Sequence, residues 1–238
     1  MWKEKNYASD ILYPAISEKI VELNEKTIFD KSKQILSVGR FFSTGHSKNQ
    51  HIIADLFKQC VDAGSLNGWE LVLVGSSNDD KYVQFVTKSL SGYNAKILTN
   101  ISLDELKSYY RSASIYIHAA GYGQDINKEP ENFEHFGMTV VEAAMNGCLP
   151  VVYNQAGPKE IVEKLGIGNL YDTIEQAVEF FIERNGEFDR REKRNLAAEE
   201  IRSKAKSLFY TSSSPRRREA ILSVFGLDKI DVMSNMAT

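Results

Sequence analysis

The feature that most constrains the fold is the alternation of short apolar runs, rich in β-branched residues, with longer segments of helical periodicity. Six of these runs are candidate strands, at residues 34–38, 70–74, 96–99, 114–118, 149–153 and 169–171. Strands that alternate with helices indicate β-α-β units, in which a helix connects each strand to a parallel neighbour. The sequence therefore predicts an α/β fold, a doubly wound parallel sheet of the Rossmann-like type.

The segments between the predicted strands have the spacing of amphipathic helices. After the first strand, apolar residues recur at positions 52, 53, 56, 57, 60 and 61, and the same period follows at positions 82, 85, 86 and 90. This spacing is typical of a helix with one buried face. Ser102 and Glu105 stand three residues apart before another apolar run, which predicts a capping box at a helix start. Each crossover is therefore predicted to be helical.

The chain divides into three predicted regions. Residues 1–32 are an N-terminal linker, because they are charged and contain one X-Pro turn. Residues 33–185 form the Rossmann-like domain. Residues 186–238 are a C-terminal helical extension, in which Ser214 and Pro215 have the residue types of a helix N-cap and first turn.

Composition excludes several classes of function. A net charge of −3 gives no global basic field, so nucleic acid is not an expected partner. Cys60 and Cys148 have no C-x-x-C spacing and are predicted to be buried thiols in a reducing compartment. The sequence has no leader and no apolar run near the ~20 residues of a membrane span, so a cytoplasmic location is expected. The four histidines lack ligand spacing, and no metal is expected.

Two loops are predicted to form a ligand crevice. In a doubly wound sheet the ligand binds outside the carboxyl ends of the strands where the strand order reverses. This rule brings together loop 39–49, after the first strand, and loop 119–137, after the fourth. The first loop contains Gly39 and carries Arg40 and Lys48, two cations suited to a diphosphate. Neither a Walker P-loop nor a G-x-G-x-x-G fingerprint is present.

A helix is predicted to start at the end of the second loop, near Gly137 or Met138. The free amides of its first turn would face the crevice and could bind phosphate. Glu134 lies just before this start. Glu142 lies inside the helix, at the border of a predicted buried stripe formed by Val141, Ala144, Met145 and Cys148. A half-buried carboxylate is costly unless it is paired or hydrogen-bonded, and sugar hydroxyls would supply such bonds.

Each of these residues also has a purely structural interpretation. Glu142 could be a solvated helix residue, and Arg40 and Lys48 could be surface charges. His118, at the end of the fourth strand, is predicted to be a packed histidine rather than a catalytic base. The basic run at residues 215–219 is predicted to be a solvated helix start.

Three motifs in the same order resemble a known family. They are the E-x7-E pattern of Glu134 and Glu142 within EHFGMTVVEAAMNGCLPVV, the segment SVGRFF with the following HSKNQ, and the later GPKEIV. Together they resemble the C-terminal, donor-binding half of glycosyltransferase family 4, over roughly residues 10–184. The resemblance implies one half of a GT-B fold. It also implies retaining, metal-independent transfer of a sugar from a nucleotide-diphosphate donor to an unidentified acceptor, with no cofactor.

The resemblance also implies roles for individual residues. Arg40 and Lys48 would hold the donor diphosphate, Glu134 would touch the transferred sugar, and Glu142 would accept the ribose hydroxyls. The remaining candidate ligand-binding residues are Gly39, His118, Phe136, Gly137, Met138 and Thr139, the last four through backbone amides.

The expected partners follow from the same resemblance. In a GT-B enzyme the acceptor binds mainly to the other domain, so an acceptor-binding domain or partner subunit is expected. Through that partner the chain could associate peripherally with the cytoplasmic face of a membrane. Two alternatives stay open at this stage: a non-catalytic donor-binding subunit or remnant of a split transferase, and a sugar-nucleotide epimerase or hydrolase.

Overall fold

The computed structural model describes Ile16, Ile20, Val21 and residues 30–184 and 186–209. The helix predicted from Ser214, the basic run beside it and most of the predicted N-terminal linker lie outside the described residues.

The strands form one parallel sheet of six, and helices connect them. The strands are β1 (Ser32–Val38), β2 (Glu70–Gly75), β3 (Ala95–Thr99), β4 (Ala113–His118), β5 (Leu149–Tyr153) and β6 (Asn169–Tyr171). The helices are α1 (Gln50–Asp62), α2 (Asp80–Ser89), α3 (Leu103–Ser112), α4 (Met138–Met145), α5 (Ala156–Leu165), α6 (Ile174–Glu183) and α7 (Arg191–Phe209). All six predicted strands and the predicted α/β class are confirmed.

The order of the strands in the sheet is β3-β2-β1-β4-β5-β6. The chain therefore builds outward from β1 in one direction and from β4 in the other, and the order reverses between these two strands. β1 and β4 pair in parallel, with Ile35 beside Ile115 and Leu36 beside Tyr116. The predicted doubly wound topology is confirmed, and its switch point lies between β1 and β4.

Several local features predicted from the sequence are present in the strands and helices. The central strands are buried on both faces, as their continuous apolar runs predict. The predicted capping box at α3 is present: the Ser102 side chain accepts a hydrogen bond from the Glu105 amide, and the Glu105 carboxylate accepts one from the Ser102 amide. Cys60 and Cys148 are both free and buried, as predicted.

Lys31 joins the start of β1 to the middle of the domain. Its side chain is fully buried, and its ammonium donates to the backbone oxygens of Tyr110 at 3.1 Å, Ala113 at 2.7 Å and Asn146 at 2.7 Å. Burial lowers the pKa of this lysine, and the nearby thiol of Cys148 opposes that shift. These bonds satisfy carbonyls at the C-terminal ends of α3 and α4, where helices leave acceptors without partners.

Within the described residues, no helix is long and apolar enough to cross a membrane. The same part of the chain contains no group of three or more His, Cys, Asp or Glu side chains that could hold a metal ion.

Candidate active site

The two predicted crevice loops meet at the carboxyl end of the sheet. The Asn49 side-chain amide donates to the backbone oxygen of Ala119 at 2.9 Å. The His46 ring lies 2.7 Å, through Nδ1, from the backbone oxygen of Glu131. These two bonds fix the loop after β1 against the loop after β4, so the predicted juxtaposition is confirmed.

An ion pair occupies the centre of this junction. The Lys48 ammonium donates to Glu134 Oε2 at 2.6 Å, and the Gly137 amide donates to Glu134 Oε1 at 3.1 Å. Both side chains are mostly covered, with 14% of Lys48 and 21% of Glu134 exposed. The structure therefore brings together three of the predicted residues at the N-terminal end of α4.

Gly39 makes room for the lysine. A Cβ atom at Gly39 would lie 2.5 Å from Cγ of Lys48, so the aliphatic stem of the lysine lies directly on the glycine backbone. Any larger residue would displace that stem. The structure thus gives Gly39 a positioning function, while its predicted contact with a ligand stays a prediction.

Glu134 is held in its ionised form. Burial alone would raise the pKa of its carboxyl, but the hydrogen bond and charge of Lys48, with smaller help from His118 and the Gly137 amide, lower it to about 2. At neutral pH the side chain is therefore a carboxylate that can accept hydrogen bonds and cannot donate one.

His118 is buried at the end of β4, close enough to Lys48 and Glu134 to interact with both charges. Its side chain is 2% exposed, and neither ring nitrogen has a hydrogen-bond partner among the described residues. Burial and then the positive charge of Lys48 lower the pKa of the imidazole to about 4. The ring is therefore neutral at pH 7, as suits a packed histidine, and its assignment to the ligand-binding group stays a prediction.

The N-terminal end of α4 faces the junction with uncapped amides. The helix begins at Met138, as predicted, and its N-cap Gly137 has φ 94° and supplies no side-chain cap. The Tyr116 hydroxyl lies 2.7 Å from Oγ1 of Thr139 and 3.2 Å from the backbone oxygen of Val38, which ties the first turn of α4 to the end of β1. Free amides at a helix start favour anion binding, so the phosphate contact predicted for this turn stays a prediction.

Gly157, in the third motif, supports the loop that carries Glu134. Its amide donates to the backbone oxygen of Glu134 at 3.0 Å. A Cβ atom at this glycine would lie 2.4 Å from the backbone oxygen of His135 and 2.5 Å from Cα of Phe136. The start of α5 therefore packs against the loop through a contact that only glycine permits.

Glu142 is more buried than predicted. Residues 140–145 of α4 are all buried, so Glu142 does not lie at the border of an apolar stripe but inside the domain, with 7% of its surface exposed. The reason is that α4 packs against the sheet, α5 and α7 together. The Tyr110 hydroxyl donates to Glu142 Oε2 at 3.0 Å. The structural interpretation of Glu142 as a solvated residue is therefore wrong, whereas its contact with ribose stays a prediction.

We expect Glu142 to make stability depend on pH. Burial raises the pKa of this carboxyl from 4.5 to about 7, against the opposing bond from Tyr110. Between these values the Glu142 carboxyl binds more protons in the folded state than in the unfolded state, so its contribution to stability falls as pH rises, whereas the lowered pKa of His118 acts in the opposite direction below about pH 6.5. The loss is on the order of 3 kcal/mol. Glu142→Gln should flatten this pH dependence in urea titrations, and exposed Glu163→Gln should leave it unchanged. If the stability of Glu142→Gln depended on pH as steeply as that of the wild type, the raised pKa of Glu142 would be contradicted.

Arg40 lies outside the ion pair. Its side chain is exposed, and the guanidinium lies over the Phe42 ring, 5.1 Å from the centroid. The predicted cation pair is therefore divided in the structure: Lys48 is mostly covered and pairs with Glu134, whereas Arg40 remains exposed on the same loop.

Two residues that the sequence analysis missed shape the loop and the helix. Gln50 is buried, and its side-chain amide donates to the backbone oxygens of Gly39 and Arg40, each at 3.0 Å. Tyr110 is the partner of Glu142. A polar residue at the first position of an amphipathic helix could have indicated Gln50, but no local pattern links Tyr110 to a residue 32 positions away.

Comparison with known proteins places the chain among transferases. The family model described as "Glycosyl transferases group 1" matches residues 19–199. Two relatives are described as GDP-Man:Man(3)GlcNAc(2)-PP-Dol alpha-1,2-mannosyltransferase. The chain is 28% identical to the Mus musculus protein over 67% of this chain and 32% of that protein. It is 30% identical to the Dictyostelium discoideum protein over 77% of this chain and 37% of that protein. It therefore spans about a third of the length of these curated relatives.

Solved structures show the same fold. The glycosyltransferase WaaG, involved in lipopolysaccharide biosynthesis, is 16% identical, with a TM-score of 0.64 over 91% of this chain and 56% of that chain. Anabaena HepE, in complex with UDP and glucose, is 17% identical, with a TM-score of 0.59 over 83% of this chain and 48% of that chain. These likenesses confirm the predicted Rossmann-like fold, one half of a GT-B fold.

Proposed function

The chain belongs to the group 1 family of glycosyl transferases, and on that premise we propose that it is the donor-binding half of a retaining transferase of the family 4 type. Its substrate would be a nucleotide-diphosphate sugar and its acceptor a hydroxyl group. The observation that carries the proposal is the contact between the Lys48 ammonium and the Glu134 carboxylate, 2.6 Å apart, at the amino end of α4 where the strand order reverses.

The proposed diphosphate site combines fixed and mobile positive groups. The amides at the start of α4 are fixed by the helix and carry the positive end of its dipole. Lys48 stands beside them, and Arg40 on the same loop is exposed and can turn from Phe42 toward a bound ligand. Their charge and donors match the two phosphates of a nucleotide sugar.

The proposed reaction is driven by charge stabilisation. The bond between the anomeric carbon and the diphosphate oxygen breaks, and a bond from the acceptor oxygen to the same face of that carbon forms. Negative charge grows on the departing phosphate, where Lys48, Arg40 and the α4 amides lower its energy. The proton of the acceptor hydroxyl passes to the departing phosphate oxygen.

The two glutamates have different electrostatic states that suit different tasks. The low pKa of Glu134 keeps a carboxylate beside the helix start, where it can accept hydrogen bonds from hydroxyls of the transferred sugar. Glu142, with a pKa of about 7, can carry a proton near neutral pH. In that form it can both donate to and accept from the ribose hydroxyls.

We propose that acceptor binding requires a further domain, in the same polypeptide or in a partner. In the GT-B arrangement that the sequence resembles, the active site closes between two domains. Holding both reactants in a near-attack geometry can contribute about 7–11 kcal/mol to catalysis. In this proposal the described residues supply the donor half of such a cleft.

We therefore expect the purified 238-residue chain to bind a sugar nucleotide but to show negligible transfer. Activity should appear when an acceptor-binding domain is supplied, and the product should keep the anomeric configuration of the donor. The measurement is a radiolabelled transfer assay with product analysis by NMR. Transfer by the isolated chain at about 1 per second or faster would contradict the need for that domain.

The same assay separates the alternatives. Release of free sugar without acceptor would favour a hydrolase, and interconversion of the donor sugar would favour an epimerase. Donor binding that persists without transfer, even with an acceptor-binding domain present, would favour a non-catalytic donor-binding subunit.

A further inference from the structure

A cavity lies beside the Lys48–Glu134 pair. It is a cleft of about 420 Å³ between the loop after β1 and the loop after β4. Its polar lining includes Thr44, Ser47 and Asn49 on one wall and Gln124, Glu129 and Asn132 on the other. Its volume lies within the range of small-molecule sites in proteins.

The walls of the cleft are held by specific bonds. Asn49 takes up a left-handed backbone conformation with φ 52°, and its side chain reaches across to Ala119. His46 makes the second link, to the backbone of Glu131. Ser47 is fixed by donating to the backbone oxygen of Phe42 at 2.8 Å. Because bonds hold both sides, the cleft is a formed feature of the site.

The chemistry of the lining selects a neutral, polyhydroxylated ligand. The Ser47 hydroxyl and the Asn49 side-chain amide are engaged in the bonds that hold the walls. The Thr44 hydroxyl and the side-chain amides of Gln124 and Asn132 can donate and accept hydrogen bonds in the alternating pattern that a sugar presents. The Glu129 carboxylate can accept from two neighbouring hydroxyls. Among the residues that the structure describes, no lysine or arginine lines the cleft, so a phosphate group would meet a carboxylate without a compensating cation.

The position of the cleft relates this ligand to the donor. Ser47 and Asn49 line it, and the residue between them is Lys48, whose ammonium is bonded to Glu134. Neither Lys48 nor Glu134 belongs to the lining, and nor do residues 136–139. A sugar in the cleft would therefore lie next to the donor site without occupying it.

We propose that this cleft binds the carbohydrate part of the acceptor, so that the donor domain itself contributes to acceptor recognition. This inference rests on the proposed function, because it assumes that a donor sugar occupies the Lys48–Glu134 side. Glu129 and Thr44 are the specificity-determining side chains, since both reach the cleft from exposed loop positions on opposite walls.

The test is saturation-transfer NMR on the full chain with methyl α-glycosides of mannose, glucose and galactose at up to about 20 mM. At least one glycoside should receive saturation, with or without a nucleoside diphosphate present. Glu129→Gln and Thr44→Val should each weaken its binding about tenfold. Glu131→Gln is the matched control, since this exposed side chain lies two residues away and does not line the cleft.

Each other outcome overturns the inference. No saturation of any glycoside would show that the cleft does not take sugars. Equal binding by the wild type and the two cleft variants would place the sugar elsewhere, and displacement by UDP or GDP would place it in the donor site. Calorimetry with the nucleoside diphosphates tests the proposed function separately. Glycoside binding without nucleotide binding would contradict the donor role and leave the cleft as a sugar site.

Discussion

Lys48→Ala should weaken binding of a nucleoside diphosphate by about 10-fold to 100-fold, because a charged hydrogen bond contributes about 1.5–3 kcal/mol. Two effects act in the same direction. The diphosphate loses a cation, and Glu134 loses the partner that neutralises it in the free protein. The remaining carboxylate would then repel the incoming phosphates. Isothermal titration calorimetry with UDP, GDP and ADP measures the change.

Nucleosides without phosphate serve as the comparison for this variant. Their affinity should change little, because the proposed contact is with the diphosphate. Arg40→Ala should cause a smaller loss, since Arg40 is exposed and lies over Phe42. Lys58→Ala, a surface lysine on α1 paired with Asp55, is the matched control and should leave affinity unchanged. If Lys48→Ala lost as much affinity for the nucleoside as for the nucleoside diphosphate, the proposal that Lys48 binds the phosphates would be contradicted.

Gly157→Ala should disrupt donor binding although residue 157 is not a proposed ligand contact. The new methyl group would overlap backbone atoms of His135 and Phe136, so the loop that carries Glu134 must move. Such overpacking costs about 1–3 kcal/mol of stability. Because the diphosphate and sugar sites depend on the position of this loop, we expect at least about a tenfold loss of donor affinity.

A second glycine on α5 separates a displaced loop from a weakened fold. Gly166 ends the same helix with φ 64°, and a Cβ there would meet nothing within 4 Å. Gly166→Ala should therefore lower stability by about 1–2 kcal/mol through backbone strain, yet leave donor affinity unchanged. Thermal denaturation and calorimetry on both variants give the comparison. Normal donor affinity in Gly157→Ala would show that the loop tolerates the methyl group.

The fold could be predicted because its signals are local. Continuous β-branched runs specify strands buried on both faces, and the helical segments between them force parallel pairing. The switch-point rule then places the loops after β1 and β4 together, which the bond from Asn49 to Ala119 confirms. The start of α4 was also predictable, because Gly137 ends the loop after β4 and an apolar run of helical length follows it directly.

The electrostatics of the site could not be predicted in the same way. The pairing of Lys48 with Glu134 joins residues 86 positions apart, and no periodicity specifies it. The depth of Glu142 depends on three elements that cover α4 from different sides. For that reason the sequence indicated a half-buried carboxylate, whereas the structure buries it with Tyr110 as its partner.

The contacts of two glycines could not be predicted from the sequence either. Gly157 was part of a motif in the sequence, but its function depends on backbone atoms of a distant loop. Gly39 likewise stands in a motif, SVGRFF, but its positioning function comes from the Lys48 stem that lies on it. The need for glycine at both positions is evident only from the structure, which shows how closely other atoms approach each glycine backbone.

The most direct test of the central claim is a calorimetric titration of the wild-type chain with UDP-, GDP- and ADP-sugars and the corresponding free nucleotides. We expect saturable one-to-one binding of at least one nucleotide sugar, competition by its nucleoside diphosphate, and much weaker binding of the nucleoside. Absence of binding for every nucleotide sugar, or nucleoside binding as tight as that of the diphosphate, would contradict a donor site at the Lys48–Glu134 pair.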